Sequence, residues 1–228
     1  MLRAIIFDFD GVIVDSEPLH YSAFKHVLAE KNIGLTESQY YTDYIGMDDK
    51  GCFSTVLKNH GHGTSRNDIT TLINKKSAYF DQHIKSNLHL FSGVASFIRT
   101  VSKQWPLAIV SGALRNEIDL ILKEARLHQF FDTIISAENV EKGKPDPEGF
   151  LKGLESLNQS INTLTARPNN CLVIEDSIPG VHGAQAAGMR CLAVTNTHPP
   201  EQLAHADAIT SSLDNYAIDS LVEKLWAK

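Results

Sequence analysis

The stretch "IIFDFDGVIVDSEPLH", Ile5 to His20, decides how this chain is to be read. It belongs to an apolar run, "LRAIIF" (2–7), that stops at an aspartate. Asp8 and Asp10 stand one residue apart, Gly11 follows, and Asp15 adds a third carboxylate. The run is apolar throughout rather than alternating, the pattern of a strand buried on both faces. Carboxylates this close repel one another unless something offsets their charge. From Ser16 the pattern turns helical. Ser16 is a capping residue type, Pro18 suits a first turn, and Leu19, Ala23 and Val27 recur at i, i+4, i+8.

Further apolar runs follow: "LAIV" (107–110), "TIIS" (133–136), "CLVI" (171–174), "CLAV" (191–194) and a weaker "DAIT" (207–210). Helical segments separate most of them. "GALRNEIDLILKEARL" carries Ile118, Ile121, Leu122 and Ala125 on one stripe. "KPDPEGFLKGLESL" offers Asp146 as N-cap with Pro147 at the first helical position. "SIPGVHGAQAAGM" ends at Gly188, a C-cap residue type. Strand alternating with helix predicts an α/β fold with a doubly wound parallel sheet. Residues 16–88 break the alternation with three helical segments and no strand. They form an all-helical insert between the first strand and the rest of the sheet. The domain organisation expected is therefore an α/β core of 1–15 and 89–228 around a helical domain of 16–88.

The chain has 228 residues, 43% of them hydrophobic, and a formal net charge of -6. That suffices for a real core and offers no basic footprint for nucleic acid. Cys52, Cys171 and Cys191 fit neither a disulfide framework nor a zinc pattern. They read as small buried hydrophobes in a reducing compartment. The start "MLRAIIFDFD" lacks the apolar length of a signal peptide, and no stretch approaches the roughly 18 apolar residues of a membrane span. A soluble cytoplasmic monomer is the expectation, with no nucleic-acid or membrane partner.

Ligands of open α/β sheets bind at the carboxyl ends of the strands. Those ends deliver Asp8 and Asp10, Ser111 and Gly112, Lys144, and Glu175 with Asp176. Asp8 with Asp176 suits a hard divalent cation such as Mg²⁺, a backbone carbonyl and waters completing the shell. An ionised Asp8 is a nucleophile toward a phosphoryl group, giving an aspartyl phosphate. Asp10 is placed to act as general acid and then as base. Ser111 offers a hydroxyl, Gly112 an accessible backbone N–H, and Lys144 a positive charge. Capping roles remain the reading for Asp15 and Asp146 alone.

These residues resemble the haloacid dehalogenase (HAD) superfamily of aspartate-nucleophile phosphohydrolases, in its β-phosphoglucomutase-like branch. "DFDGVIVDSEPLH", "VSGA", "GKPDP" and "IEDSIPGV" match that family's motifs in order and cover essentially the whole chain. The resemblance implies a Rossmann-like core and a mobile helical cap that closes over the site. It also implies Mg²⁺ held by Asp8, the Asp10 carbonyl and Asp176, with Glu175 supporting through water. Ser111 and Lys144 would bind the transferring phosphate. A small phosphorylated metabolite, such as a sugar phosphate, is the implied substrate.

His20 matches the cap-hinge histidine of the phosphoglucomutases, and Lys75 or Lys76, before Tyr79, resembles their cap lysine, the K-x-x-x-Y spacing favouring Lys75. Those mutases also carry a cap arginine that grips a second phosphate. Here "GMDDKG" (46–51) places Asp49 at that position. A phosphatase is therefore favoured over a sugar phosphate mutase, the alternative. Lys25 and Lys50 read as solvated helix lysines, not Schiff-base lysines, and His60 and His62 mark a loop. Arg115 stands as either a phosphate ligand or a helix-surface residue. A non-enzymatic phospho-receiver switch is the remote alternative; such modules are shorter and lack a helical insert.

Overall fold

The computed structural model describes every residue except Gly46, Asn87, Ala227 and Lys228, together with the side chain of Lys85 left aside. Gly46, the start of the "GMDDKG" motif, therefore lies outside the described residues. The strands are β1 (Ala4–Phe7), β2 (Leu107–Val110), β3 (Thr133–Ile135), β4 (Cys171–Glu175), β5 (Arg190–Val194) and β6 (Ala208–Thr210). They form one parallel sheet in the order β3-β2-β1-β4-β5-β6. Every predicted apolar run supplies a strand. β1, β2 and β4 are buried along their whole length, which is why their sequences do not alternate. β6 is an edge strand, and Ile209 there is exposed, so its weaker run reflects weaker burial.

The helices are α1 (Glu17–Ala29), α2 (Glu37–Gln39), α3 (Asp49–Asn59), α4 (Arg66–His83), α5 (Val94–Val101), α6 (Arg115–Glu124), α7 (Glu148–Ser160), α8 (Ile178–Ala186) and α9 (Ile218–Trp226). Successive strand residues point to opposite faces of the sheet. On one face Ile6, Val110 and Val173 pack with Phe150, Leu154 and Leu157 of α7 and Val181 and Ala184 of α8. On the other, Phe7 meets Phe97 of α5 and Phe131 edge to face, with centroids 6.2 and 5.8 Å away.

The chain divides into two compact units, Met1–Asp15 with His89–Lys228, and Ser16–Leu88. Ser16–Leu88 has its own core, built from Phe24, Val27 and Leu28 of α1, Phe53 and Val56 of α3, and Ile69 and Leu72 of α4. The two connecting segments are tied where they leave the sheet unit. Asp15 N–H donates to the His89 carbonyl at 2.8 Å, and Phe91 N–H to that of Ile13 at 3.2 Å. Among the described residues no helix is long and apolar enough to cross a membrane. All three cysteines are buried and unbridged.

Two helix starts differ from the sequence reading. α7 begins at Glu148 with Pro147 in the cap position. Asp146 still caps it, its Oδ1 accepting the Glu148 N–H at 3.0 Å, but from one residue further out. Ser16 occupies the cap position of α1, yet its side chain makes no capping bond there.

Leu157 lies fully buried in the core cluster under the sheet. Leu157→Ala is expected to cost about 2–5 kcal/mol, the range for a deleted core leucine. Urea unfolding measures it; a loss under about 0.5 kcal/mol, the scale of a surface change, contradicts this core assignment.

Candidate active site

The strand order reverses direction between β1 and β4, the switch point where doubly wound sheets bind ligands. The register fixes what meets there. Phe7 pairs with Ile174 and with Ile109, so the residues that follow, Asp8, Glu175 and Val110, stand side by side at the carboxyl ends of the strands. Asp8 N–H donates to the Ile174 carbonyl at 2.9 Å, extending the ladder one residue past the strand.

Asp8, Glu175 and Asp176 are all buried, and each offers a carboxylate oxygen within 4.8 Å of the others. Lys144 provides the counter-charge. Its Nζ donates to Asp8 Oδ1 and, at 2.6 Å, to Glu175 Oε1. The same Nζ lies over the Phe150 ring, 5.4 Å from its centroid. Burial alone would lower the Lys144 pKa; the charges of Asp8 and Glu175 outweigh it and raise the value. Burial pushes Asp8 well above the usual carboxylate range, with Lys144 opposing and Glu175 and Asp176 adding to the rise. Burial and the Glu175 charge raise Asp176 to about 7, against hydrogen bonding from Thr197. One ammonium thus does not offset three carboxylates.

Glu175 is fully buried and fully engaged. Oε2 accepts the N–H groups of Asp176 and Ser177 and the Ser177 hydroxyl, each at 2.9 Å. Ser177 in turn accepts the Gly180 N–H at 3.1 Å and caps α8. A Cβ at Gly180 would fall 1.8 Å from Glu175 Oε1, so only glycine lets the helix start close over that carboxylate. Glu175, expected to support a metal through water, stands in the acidic group and also holds Lys144 and the first turn of α8.

Gly11 plays a similar part at the other loop. Its φ is +83°, and a Cβ there would lie 2.0 Å from Asp176 Oδ2. Asp10 is half-buried, and its carboxylate stands outside the acidic group, although its charge raises the Asp176 pKa. Ser111 is buried at the β2 end. Its N–H donates to the Ile135 carbonyl at 3.0 Å, and its hydroxyl accepts the Ala113 N–H at 2.9 Å, leaving its own proton to give. A Cβ at Gly112 would meet no atom within 4 Å, so the space beside that backbone is open.

Arg115 does not join this group. Its Nε donates to both oxygens of Asp119 at 3.1 Å, one turn along α6, and Nη1 reaches the Ile134 carbonyl. Of its two readings, the helix-surface one is what the structure shows.

Within Ser16–Leu88 the two candidate lysines stand in different surroundings. Lys75 is exposed and paired with Glu30. Lys76 is the inward one, 1% exposed, with Nζ 2.7 Å from Asp49 Oδ1. It lies over the rings of Phe24 and Phe80 at 5.0 and 5.7 Å. The helical period explains this: Ile69, Leu72, Lys76 and Phe80 share the buried stripe of α4, and Lys75 is about 100° off it. His20 stacks on Phe80 at 4.7 Å, and burial, aided by the Lys76 charge, holds its pKa well below the usual value.

Two residues were missed. Thr197 donates its hydroxyl to Asp176 Oδ2, and Asn196 donates its amide to the Gly11 carbonyl at 2.7 Å. Both follow β5, and applying the strand-end rule to "CLAVTNT" would have found them.

Replacing Lys144 removes the cation between two buried carboxylates. Lys144→Met is expected to lose about 3–5 kcal/mol of stability, as for a broken buried pair. A carboxyl whose folded pKa is raised stabilises at low pH and loses that contribution as pH rises through the folded value. The loss should therefore be smaller at pH 5 than at pH 8, and Lys144→Met/Glu175→Gln should recover part of it. Equal stability of Lys144→Met and the wild type at pH 8 would contradict this electrostatic account.

Residues 5–194 match the family model for haloacid dehalogenase-like hydrolases. The chain is 25% identical over 214 residues to the validoxylamine A 7'-phosphate phosphatase of Streptomyces hygroscopicus subsp. limoneus, covering 93% of this chain and 95% of that one. It is 29% identical to the phosphorylated carbohydrates phosphatase of Thermotoga maritima, covering 82% of each. Among solved structures, the β-phosphoglucomutase of Clostridium difficile superposes with a TM-score of 0.82 at 25% identity, covering 99% of this chain and 97% of that one. The strand-end acids and the matched residues lead to one assignment: the chain belongs to the haloacid dehalogenase-like hydrolase family.

Proposed function

We propose that this chain is a Mg²⁺-dependent phosphatase of small phosphorylated carbohydrates or similar monoesters, acting through an aspartyl phosphate on Asp8. The observation that carries the reading is the convergence of Asp8, Asp176 and Lys144 at the switch point of the sheet. The donor set is all hard oxygen, which suits Mg²⁺. The group is also short of positive charge, since both Asp8 and Asp176 are pushed up toward their protonated forms. Asp8, Asp176 and the Asp10 carbonyl would hold the ion. Bound there, Mg²⁺ would supply the charge that keeps the carboxylates ionised beside an anionic phosphoryl group.

The chain's own residues then divide the work. Lys144 steadies Asp8 and neutralises a phosphoryl oxygen, and Ser111 donates its free proton to another. The Asp8 carboxylate forms a bond to phosphorus as the ester P–O bond breaks. Asp10 gives its proton to the leaving alkoxide. It then takes a proton from water, whose oxygen attacks phosphorus, releasing inorganic phosphate and restoring Asp8. The helical unit Ser16–Leu88 is proposed to serve as the cap domain that selects substrate.

The Lys76–Asp49 pair favours hydrolysis of monophosphates over mutase chemistry. Asp49 takes the one inward lysine of α4, and an acid there repels a second phosphate. The names of the two phosphatase relatives point the same way. A mutase is the second reading, favoured by the likeness to β-phosphoglucomutase.

Hydrolysis of p-nitrophenyl phosphate and of a panel of sugar, glycolate and nucleotide monophosphates tests this. Activity is expected with Mg²⁺, to be lost in EDTA and in Asp8→Asn. Asp10→Ala should slow turnover about 10²–10⁴-fold, the usual worth of a general acid-base. Full activity in EDTA overturns the metal reading. Interconversion of β-glucose 1-phosphate and glucose 6-phosphate far above the hydrolysis rate would favour the mutase.

A further inference from the structure

Two loops that carry the site are held by adjacent residues of a third. The Thr197 hydroxyl donates to Asp176 Oδ2, and the Asn196 amide donates to the Gly11 carbonyl at 2.7 Å. Thr195, the residue before them, is anchored by its N–H to the Thr210 carbonyl at 3.0 Å, so the pair is presented from backbone tied to β6. The three contacts are spatially one feature. A Cβ at Gly11 would fall 2.0 Å from the Asp176 oxygen that Thr197 holds.

We propose that Thr197 and Asn196 are positioning residues of the metal site, a role that rests on the Mg²⁺ reading above. Thr197 takes one oxygen of Asp176 and leaves the other as the ligand atom. A neutral hydroxyl does this without cancelling the charge that the ion needs, as a lysine there would. It also satisfies an oxygen of a carboxylate only 3% exposed, which burial without a donor would penalise.

Asn196 acts on the backbone. The Gly11 N–H donates to the Val14 carbonyl at 2.9 Å. A peptide unit is planar and trans, so the Asp10 carbonyl points away from that N–H. With Val14 on its N–H and Asn196 on its carbonyl, Gly11 is fixed on both sides. The direction of the Asp10 carbonyl, the backbone oxygen assigned to the ion, is fixed with it. Glycine at φ +83° has no side chain to do this locally, so the restraint on its carbonyl comes from the loop after β5.

Partners that orient metal ligands are typically worth 10–100-fold in metal affinity. The test is Mn²⁺ titration of the resting protein, without substrate, read from the EPR signal of the free ion. Thr197→Val is expected to weaken Mn²⁺ binding about 10–100-fold, while Thr197→Ser, which keeps the hydroxyl, binds as the wild type does. Asn196→Ala is expected to weaken it in the same direction. At saturating metal, kcat of Thr197→Val should return toward the wild-type value, because the ligands themselves are intact. The Tm in EDTA separates loss of the site from loss of the fold, and Thr197→Ala carries the test if valine lowers that Tm.

A wild-type Kd for Mn²⁺ in folded Thr197→Val overturns the role of Thr197. Equal weakening in Thr197→Ser and Thr197→Val overturns the hydrogen-bond account. Wild-type protein that binds no Mn²⁺ overturns the metal reading itself, and this proposal with it.

Discussion

The Lys144 ammonium between Asp8 and Glu175 is the contact on which the rest of the site depends. Parallel pairing of β1 with β4 forces Asp8 and Glu175 side by side at the sheet edge, and Asp176 is one residue further. Two buried carboxylates cannot share that place without a cation between them. Lys144 arrives from the loop after β3, so its pairing also ties the third strand's exit to the first and fourth. The residual shortage of positive charge, seen in the raised Asp8 and Asp176, is what the proposed divalent ion would make good.

Backbone chemistry shapes the same place. Gly180 lets the first turn of α8 close over Glu175, and Gly11 lets the β1 loop approach the Asp176 carboxylate. Both positions would clash with any side chain. The acids therefore stand buried, where charge interactions are strong. A phosphoryl-transfer site needs such preorganised charge more than it needs covalent chemistry from the protein.

The fold was legible because strands buried on both faces leave unbroken apolar runs, and "LAIV" became β2 residue for residue. The strand-end rule then brought Asp8, Ser111, Lys144 and Asp176 to one edge without any contact being known. Its limit was how far it was applied. Asn196 and Thr197 carry no charge, and their value lies in hydrogen bonds that only the folded loop reveals. Lys75 and Lys76 are neighbours in sequence but point about 100° apart, and the helical stripe through Leu72 and Phe80 puts Lys76, not Lys75, on the buried side. Arg115 could not be placed from its motif, because its guanidinium is drawn along α6 by Asp119. Glu175 was legible as a site residue, but not as the anchor of α8, which depends on where Gly180 and Ser177 lie.

The helical unit differs from the sheet unit in what its charges do. In it a buried lysine is met by Asp49, so the pair is neutral and set among Phe24 and Phe80. The proposal that Asp8 is the nucleophile that bonds to phosphorus rests, however, on the sheet unit. Reduction by borohydride of protein quenched during turnover converts an aspartyl phosphate to homoserine. Peptide mass mapping is predicted to place homoserine at position 8, and only with substrate and Mg²⁺ present. Turnover with an unmodified Asp8, or with the modification at another carboxylate, would contradict the account.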